Sequence, residues 1–308
     1  RDVAPSRGLG DVYKRQVDLL AAINGSPTQG FGYTTLMTNN GKMVNRGVEI
    51  TLSGEIIRQK DFSWNASLLY AFNRNKVKHI SVQPSLWDSR ISMPTSYPMV
   101  GKPLYGIYAY KWAGLNENGD PQVYDAENNV TSGPARDYHA LVYCGTTVPI
   151  HNASLTNVLR YKGFEFSAML ILDAGHKLRS SNIPSINMSN GRITSTAKGI
   201  VDRWTQPGDV TDVPRLLFSN DTENFNTHRT ELYRYSDLFV YDASNIRLSN
   251  ISLAYRVPAH WCKKISLSGA RLQFNVENVA TFAFDSKANY DLGGNCLLYT
   301  SPSPRDGA

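Results

Sequence analysis

Residues Met43 to Val77 read MVNRGVEITLSGEIIRQKDFSWNASLLYAFNRNKV, and the spacing within this stretch decides the fold. Phe62, Trp64, Ala66, Leu68, Tyr70 and Phe72 fall on every other residue. Ser63, Asn65, Ser67 and Asn73 lie between them, with Leu69 and Ala71 as lapses. Successive side chains of a strand point to opposite faces, so period two puts the apolar set on one side. Upstream, Val48, Ile50, Leu52 and Ile56 alternate with Glu49, Thr51, Ser53 and Glu55, and Gly54 falls on the apolar side. Arg58 to Asp61 turns the chain between the two runs. The stretch is a β-hairpin.

Working outward, two more hairpins follow. Ala153 to Tyr161 leads through Tyr161-Lys162-Gly163 into Phe164 to Leu172, where Phe164, Phe166, Ala168, Leu170 and Leu172 keep one parity. Leu238 to Val257 is expected to pair with Gly269 to Phe282. Within it Ile246 and Leu248 hold one parity and Ile251, Leu253, Tyr255 and Val257 the other, which predicts a β-bulge near Asn250. Leu272, Phe274, Val276 and Ala280 alternate with Arg271, Gln273, Asn275 and Glu277, a polar face that suits a wet lumen better than a dry core. Val17 to Leu20 reads as the end of an earlier strand. Gly25 to Gly41 is turn-rich, Leu104 to Leu115 reads as an aromatic strand, and a short helix is expected near Thr196 to Trp204.

Connections alternate in length. Those at Arg58–Asp61 and Tyr161–Gly163 are short and Pro258–Ser268 is moderate, whereas long, poorly patterned segments separate the hairpins. Long structureless loops are uncommon in compact soluble domains. Short turns at one end and long loops at the other are what transmembrane β-barrels show. A soluble β-sandwich is the rival architecture, and a continuous apolar band on one sheet face separates the two.

Two ends stand apart. Residues 1–16 (RDVAPSRGLGDVYKRQ) and 296–308 (CLLYTSPSPRDGA) lack periodicity and resemble adapter or cloning remnants, which leaves 17–295 as the patterned domain. The first end carries four basic and two acidic residues and the last one of each, so removing both takes the net charge from +6 to +4. No basic block and no nucleic-acid-binding motif accompanies that mild excess, so nucleic acid is not an expected partner. Cys144 and Cys262, once Cys296 is set aside, make no disulfide framework. No apolar run reaches the ~18 residues of a membrane helix, which does not bear on a barrel.

Enzyme signatures are missing: there is no G-x-S-x-G elbow, H-E-x-x-H or P-loop, and the six histidines show no zinc-ligand spacing. Asp209 and Asp212 sit three apart in a Pro-Gly turn, where local hydrogen bonding accounts for them better than catalysis. Asn116 to Asp120 reads as a turn, because the twelfth-position glutamate of a calcium loop is lacking. No enzyme activity, cofactor or metal is expected. Trp87, Tyr97 and Trp204 fall in loops, where flat rings can stack on sugars or pack their own loop.

Several stretches together resemble the C-terminal barrel region of SusC/RagA-type TonB-linked outer-membrane proteins. They are Asn45-Arg46-Gly47-Val48-Glu49, Lys60-Asp61-Phe62-Ser63-Trp64, Phe72-Asn73-Arg74-Asn75-Lys76-Val77, Gly101-Lys102-Pro103-Leu104, Tyr110-Lys111-Trp112-Ala113-Gly114-Leu115 and Gly119-Asp120-Pro121. Tyr161-Lys162-Gly163-Phe164, Arg203 to Asp209 (RWTQPGD), Thr211 to Arg215 (TDVPR) and Ile246 to Leu253 (IRLSNISL) complete the series. Each is weak alone; in this order they are specific. The resemblance implies an all-β antiparallel meander forming one arc of a large, twenty-two-stranded transmembrane barrel with long extracellular loops. It implies import of oligosaccharides, or peptides, across the outer membrane. A SusD-like surface lipoprotein would be the partner, and the TonB-ExbB-ExbD complex would supply energy through an N-terminal region absent here. A siderophore or vitamin receptor, or a surface glycan-binding adhesin, is the alternative. An arc with two unpaired sheet edges, cut from its barrel, is expected to aggregate rather than remain a soluble monomer.

Overall fold

The computed structural model describes residues 8–24, 35–80, 89–92, 94–133, 138–188, 197–218, 227–264 and 267–288. Its frame is one seven-stranded antiparallel sheet in simple sequential order. The strands are β1 (Gly8–Asn24), β2 (Thr35–Arg58), β3 (Phe62–Ile80), β4 (His151–Tyr161), β5 (Phe164–Ala174), β6 (Asn245–Val257) and β7 (Ala270–Ala283). Each pairs with its sequence neighbours in the wall, which is the meander expected from the alternation. The arc does not close on itself. Among the described residues no helix is long and apolar enough to cross a membrane.

Register shows how the two faces are built. Leu52, Leu68, Leu155, Leu170 and Leu248 lie in one cross-strand row from β2 to β6. Below it, at the short-turn end, Phe62, Tyr161, Phe164 and Tyr255 form an aromatic row, with the Phe164 and Tyr255 rings 4.5 Å apart. Above it Tyr70 and Phe72 stand beside His151, whose Nδ1 lies 2.8 Å from the Tyr70 hydroxyl. The step from Phe62 to Phe72, at about 3.3 Å per residue, is on the order of 33 Å along the strand, or ~25 Å across a bilayer when strands tilt by ~40°. Among the described residues nothing covers this face: Leu52 is 52% exposed and Phe164 51%.

The opposite face is polar and knitted across strands. Asp173 accepts from Asn152 (2.7 Å) and from Arg247 (3.4 Å), and Glu165 accepts from Arg160 (2.7 Å) and Arg271 (3.0 Å). Leu69 and Ile171 are apolar lapses on this side. The expected bulge is present: Ser249 is an extra residue against β5, where Met169 pairs with Asn250 and Leu170 with Leu248. On the other side, β7 shifts register at the same point.

Some expectations change. Gly8–Gln16, which the sequence sets apart as a remnant, lies within β1 and pairs with Met43 to Thr51 of β2. Backbone pairing needs only a free strand edge and no side-chain period, so absence of periodicity did not exclude a strand there. Thr35 to Gly41, read as turn, belongs to β2, and Leu238 to Asp242 lies outside the third hairpin. Leu104 to Leu115 is not a wall strand; it divides into Gly106–Tyr110 and Trp112–Leu115, in separate small sheets.

The described parts of the long segments form short elements, although the sequence there shows little pattern. Residues 81–150 and 175–244 both leave from the end of the wall opposite the short turns, and their described parts fold together into a cap. Gly106–Tyr110 pairs with Leu141–Thr146, and Trp112–Leu115, Pro121–Tyr124 and Val130–Thr131 make a three-stranded sheet. Lys177–Arg179 pairs with Val240–Asp242. Tyr108, Tyr110, Val123 and Leu232 are almost fully buried in one cluster, and Ile186, Tyr233 and Phe239 form another. The expected short helix is the 3-10 turn Lys198–Asp202. Cys144 and Cys262 are free thiols, as expected from their number.

Candidate functional site: a cavity where cap meets wall

The sequence motifs dock on one another in pairs. Asn75 donates from its amide nitrogen to Asn45 Oδ1 (2.8 Å), and its Oδ1 accepts the Leu104 backbone N–H (2.7 Å). Beside it, Val77 N–H donates to the Lys102 carbonyl (2.9 Å) and Gly101 N–H donates to the Val77 carbonyl (2.8 Å). Gly101 to Leu104 therefore covers the edge of β3 above the point where β4 ends. Gly101 has φ +87°, a backbone conformation that favours glycine.

A second docking joins the two long segments. Asp120 accepts from Arg215 Nε (3.1 Å) and Nη2 (2.8 Å) and from Arg229 Nε (2.9 Å). Arg229 is buried and also donates to Asn187 Oδ1 (2.6 Å) and the Arg215 carbonyl (2.8 Å). Burial works against its charge, and the Asp120 carboxylate offsets that. Trp112 bridges too: its backbone N–H donates to Asp237 Oδ1 (2.9 Å) and its indole N–H to Asp212 Oδ1 (3.1 Å). Arg179 ties the segments at a third point, donating to the Tyr108 carbonyl (2.6 Å).

The local account of the two aspartates holds for Asp209 alone. Asp209 Oδ2 accepts from the Thr205 N–H and hydroxyl and from the Gln206 N–H, bonds that hold its carboxyl below the usual range. Asp212 instead makes the contact to Trp112, a hundred residues away. Asn116 to Asp120 is a turn: Asn116 Oδ1 accepts the N–H groups of Asn118 and Asp120 (both 2.9 Å).

Under the Gly101 segment lies a cavity of about 820 Å³. Its floor comes from the polar face of β2 and β3, including Asn45, Glu49 and Asn73, and its rim from Lys102, Tyr105 and Tyr143. Lys102 Nζ sits 4.8 Å from the centre of the Tyr143 ring. Burial pushes the Tyr143 phenol above its ordinary pKa, and Tyr108 adds to this, against the opposing pull of Arg74. The hydroxyl is thus a neutral donor at physiological pH. Deeper in the cap, burial raises the Cys144 thiol to about 11, which keeps it unreactive.

Of the loop aromatics singled out from the sequence, Trp87 lies outside the described residues. Tyr97 is half-buried in the first long segment, and its carbonyl accepts a 3.4 Å bond from Arg90 Nε. Trp204 is half-buried in the second, with its ring against Gly119; a Cβ on Gly119 would collide with that ring. Neither Tyr97 nor Trp204 is among the described residues that line the cavity. The cavity residues carried no individual signal in the sequence; what could have found them is the pairing of Asn73–Val77 with Gly101–Leu104.

With this geometry in view, the comparisons are direct. TonB-dependent receptor P3 of Formosa agariphila is 25% identical over 280 residues, covering 84% of this chain and 26% of that protein. TonB-dependent receptor SusC of Bacteroides thetaiotaomicron is 22% identical over 285 residues, covering 88% and 26%. The chain is similar to SusC/RagA-type TonB-dependent receptors over most of its length. It lies in the outer membrane as part of a β-barrel. Its fold matches the RagAB peptide importer in its "closed-closed" state, with a TM-score of 0.69 and 20% identity over 92% of this chain and 30% of that one. The chain spans about a quarter of the length of the curated relatives it matches. No family model matches it.

Proposed function

We propose that residues 17–295 form part of the wall and outer cap of a transporter that imports oligosaccharides. A SusD-like surface lipoprotein would serve as its partner and TonB-ExbB-ExbD as its energy source. One observation carries the reading: a single sheet has an uncovered apolar face banded by aromatics and a polar face roofed by folded long loops. That combination suits a wall between lipid and a guarded aqueous path. The names of SusC and of the RagAB peptide importer support the transport class, and the amide-lined cavity favours sugar over peptide. Trp87, Tyr97 and Trp204 are proposed as further sugar contacts.

The test is uptake of labelled oligosaccharides by cells carrying the full-length transporter, with and without a SusD-like lipoprotein. Energy-dependent accumulation that is lost on TonB depletion is expected. Accumulation of peptides and not of oligosaccharides would overturn the cargo assignment. Replacing Tyr97 and Trp87 by Ala should weaken glycan binding; unchanged affinity removes them as contacts.

A further inference from the structure

Several cationic side chains of this molecule are paired with carboxylates. Arg160 and Arg271 share Glu165, Arg247 meets Asp173, Arg215 and Arg229 share Asp120, and Lys177 meets Asp242. Arg74, Lys76 and Lys102 all line the cavity, and among the described residues no ion pair joins any of them to a carboxylate. Lys102 is half-buried and placed over the Tyr143 ring, and Arg74, an exposed residue, lines the same cavity. Cationic groups and the Tyr143 hydroxyl thus share one lining. Among the described residues Glu49 on the floor is the one carboxylate in the lining, and His151 has its Nδ1 taken up by Tyr70.

We propose that this cavity binds the carboxylate of an acidic oligosaccharide, with Lys102 and Arg74 meeting the charge and the Tyr143 hydroxyl donating to it. Cations in a concave site that form no ion pair there favour an anionic group from outside, and charge-assisted bonds are the strong ones. The neighbouring donors suit a sugar: Asn45 keeps its amide nitrogen and Asn73 its carboxamide for ring hydroxyls, and Tyr105 offers a flat face. The inference rests on the transport reading and narrows its cargo.

The experiment compares two probes on the full-length transporter purified in detergent: tetragalacturonate and its carboxyl-reduced, neutral counterpart. Wild type should bind the acidic probe more tightly, with an affinity that falls as salt rises. Lys102→Met and Arg74→Gln should each weaken tetragalacturonate binding by about tenfold to a hundredfold and leave the neutral probe unchanged. Lys102→Arg should retain most of the acidic binding, and the heat-dependent gel shift of a folded barrel checks every variant. Equal wild-type affinity for both probes, or equal losses for both in the variants, would overturn the proposal while leaving oligosaccharide transport intact. Binding of an acidic peptide with no binding of either sugar would overturn both.

Discussion

In the wall, Leu52, Leu68 and Leu170 stay exposed to their surroundings, while in the cap Tyr108, Tyr110, Val123 and Ile186 have almost no exposed surface. One chain thus uses apolar residues in two opposite ways. The wall keeps them outside, where hydrocarbon is the solvent, and puts Asp173, Glu165 and their arginines on the inner face. The cap follows the rule of water-soluble domains and closes a core of its own. The difference teaches that stability in this molecule has two independent sources. The wall depends on lipid and on neighbouring strands, and the cap depends on packing and on the Asp120 clamp.

The bluntest way to break that comparison is to take the lipid away. The chain alone, without detergent, is expected to elute from size-exclusion chromatography as aggregate, because its outer face and both sheet edges are uncovered. A monodisperse sheet-rich monomer would mean that the apolar face is covered in some other way.

A sharper cut is Asp120→Ala in the full-length transporter. It leaves the buried Arg229 guanidinium without its carboxylate, and loss of one partner of a buried pair costs about 3–5 kcal/mol. Hydrogen exchange should then accelerate in the described cap segments and remain slow in β3, β4 and β5. Equal acceleration in those strands would show that cap and wall are a single cooperative unit.

The finest cut separates the faces of one strand. Leu68→Arg places a charge in the middle of the leucine row and should cost about 2–4 kcal/mol on unfolding from lipid vesicles. Ser67→Arg, one residue away on the lumenal face, should change stability by no more than about 0.5 kcal/mol. Similar costs at both positions would remove the distinction between the two faces.

How much could be read in the sequence follows the same division. Wall strands are long enough for period two to show, so Phe62 to Phe72 and Phe164 to Leu172 announced their faces. Even the bulge at Ser249 was visible as a change of parity. Cap strands such as Val130–Thr131 and Asn187–Met188 are two residues long, too short for any period. What holds the cap is contact across the chain, Trp112 with Asp212 and Asp120 with Arg229, and a linear sequence does not show which distant residues meet. The cavity was hidden for the same reason: its floor belongs to one hairpin and its rim to segments downstream.

Ser249 gives the wall a phase correction. Were it paired as an ordinary strand residue instead of bulged out, every side chain of β6 on one side of that point would change sides. Pairing this serine in an unbroken ladder would keep Ile251 and Leu253 against the hydrocarbon and turn Arg247 and Asn245 outward to join them, stranding the Asp173 carboxylate over the channel. A small, uncharged residue thus decides whether a cation meets water or oil.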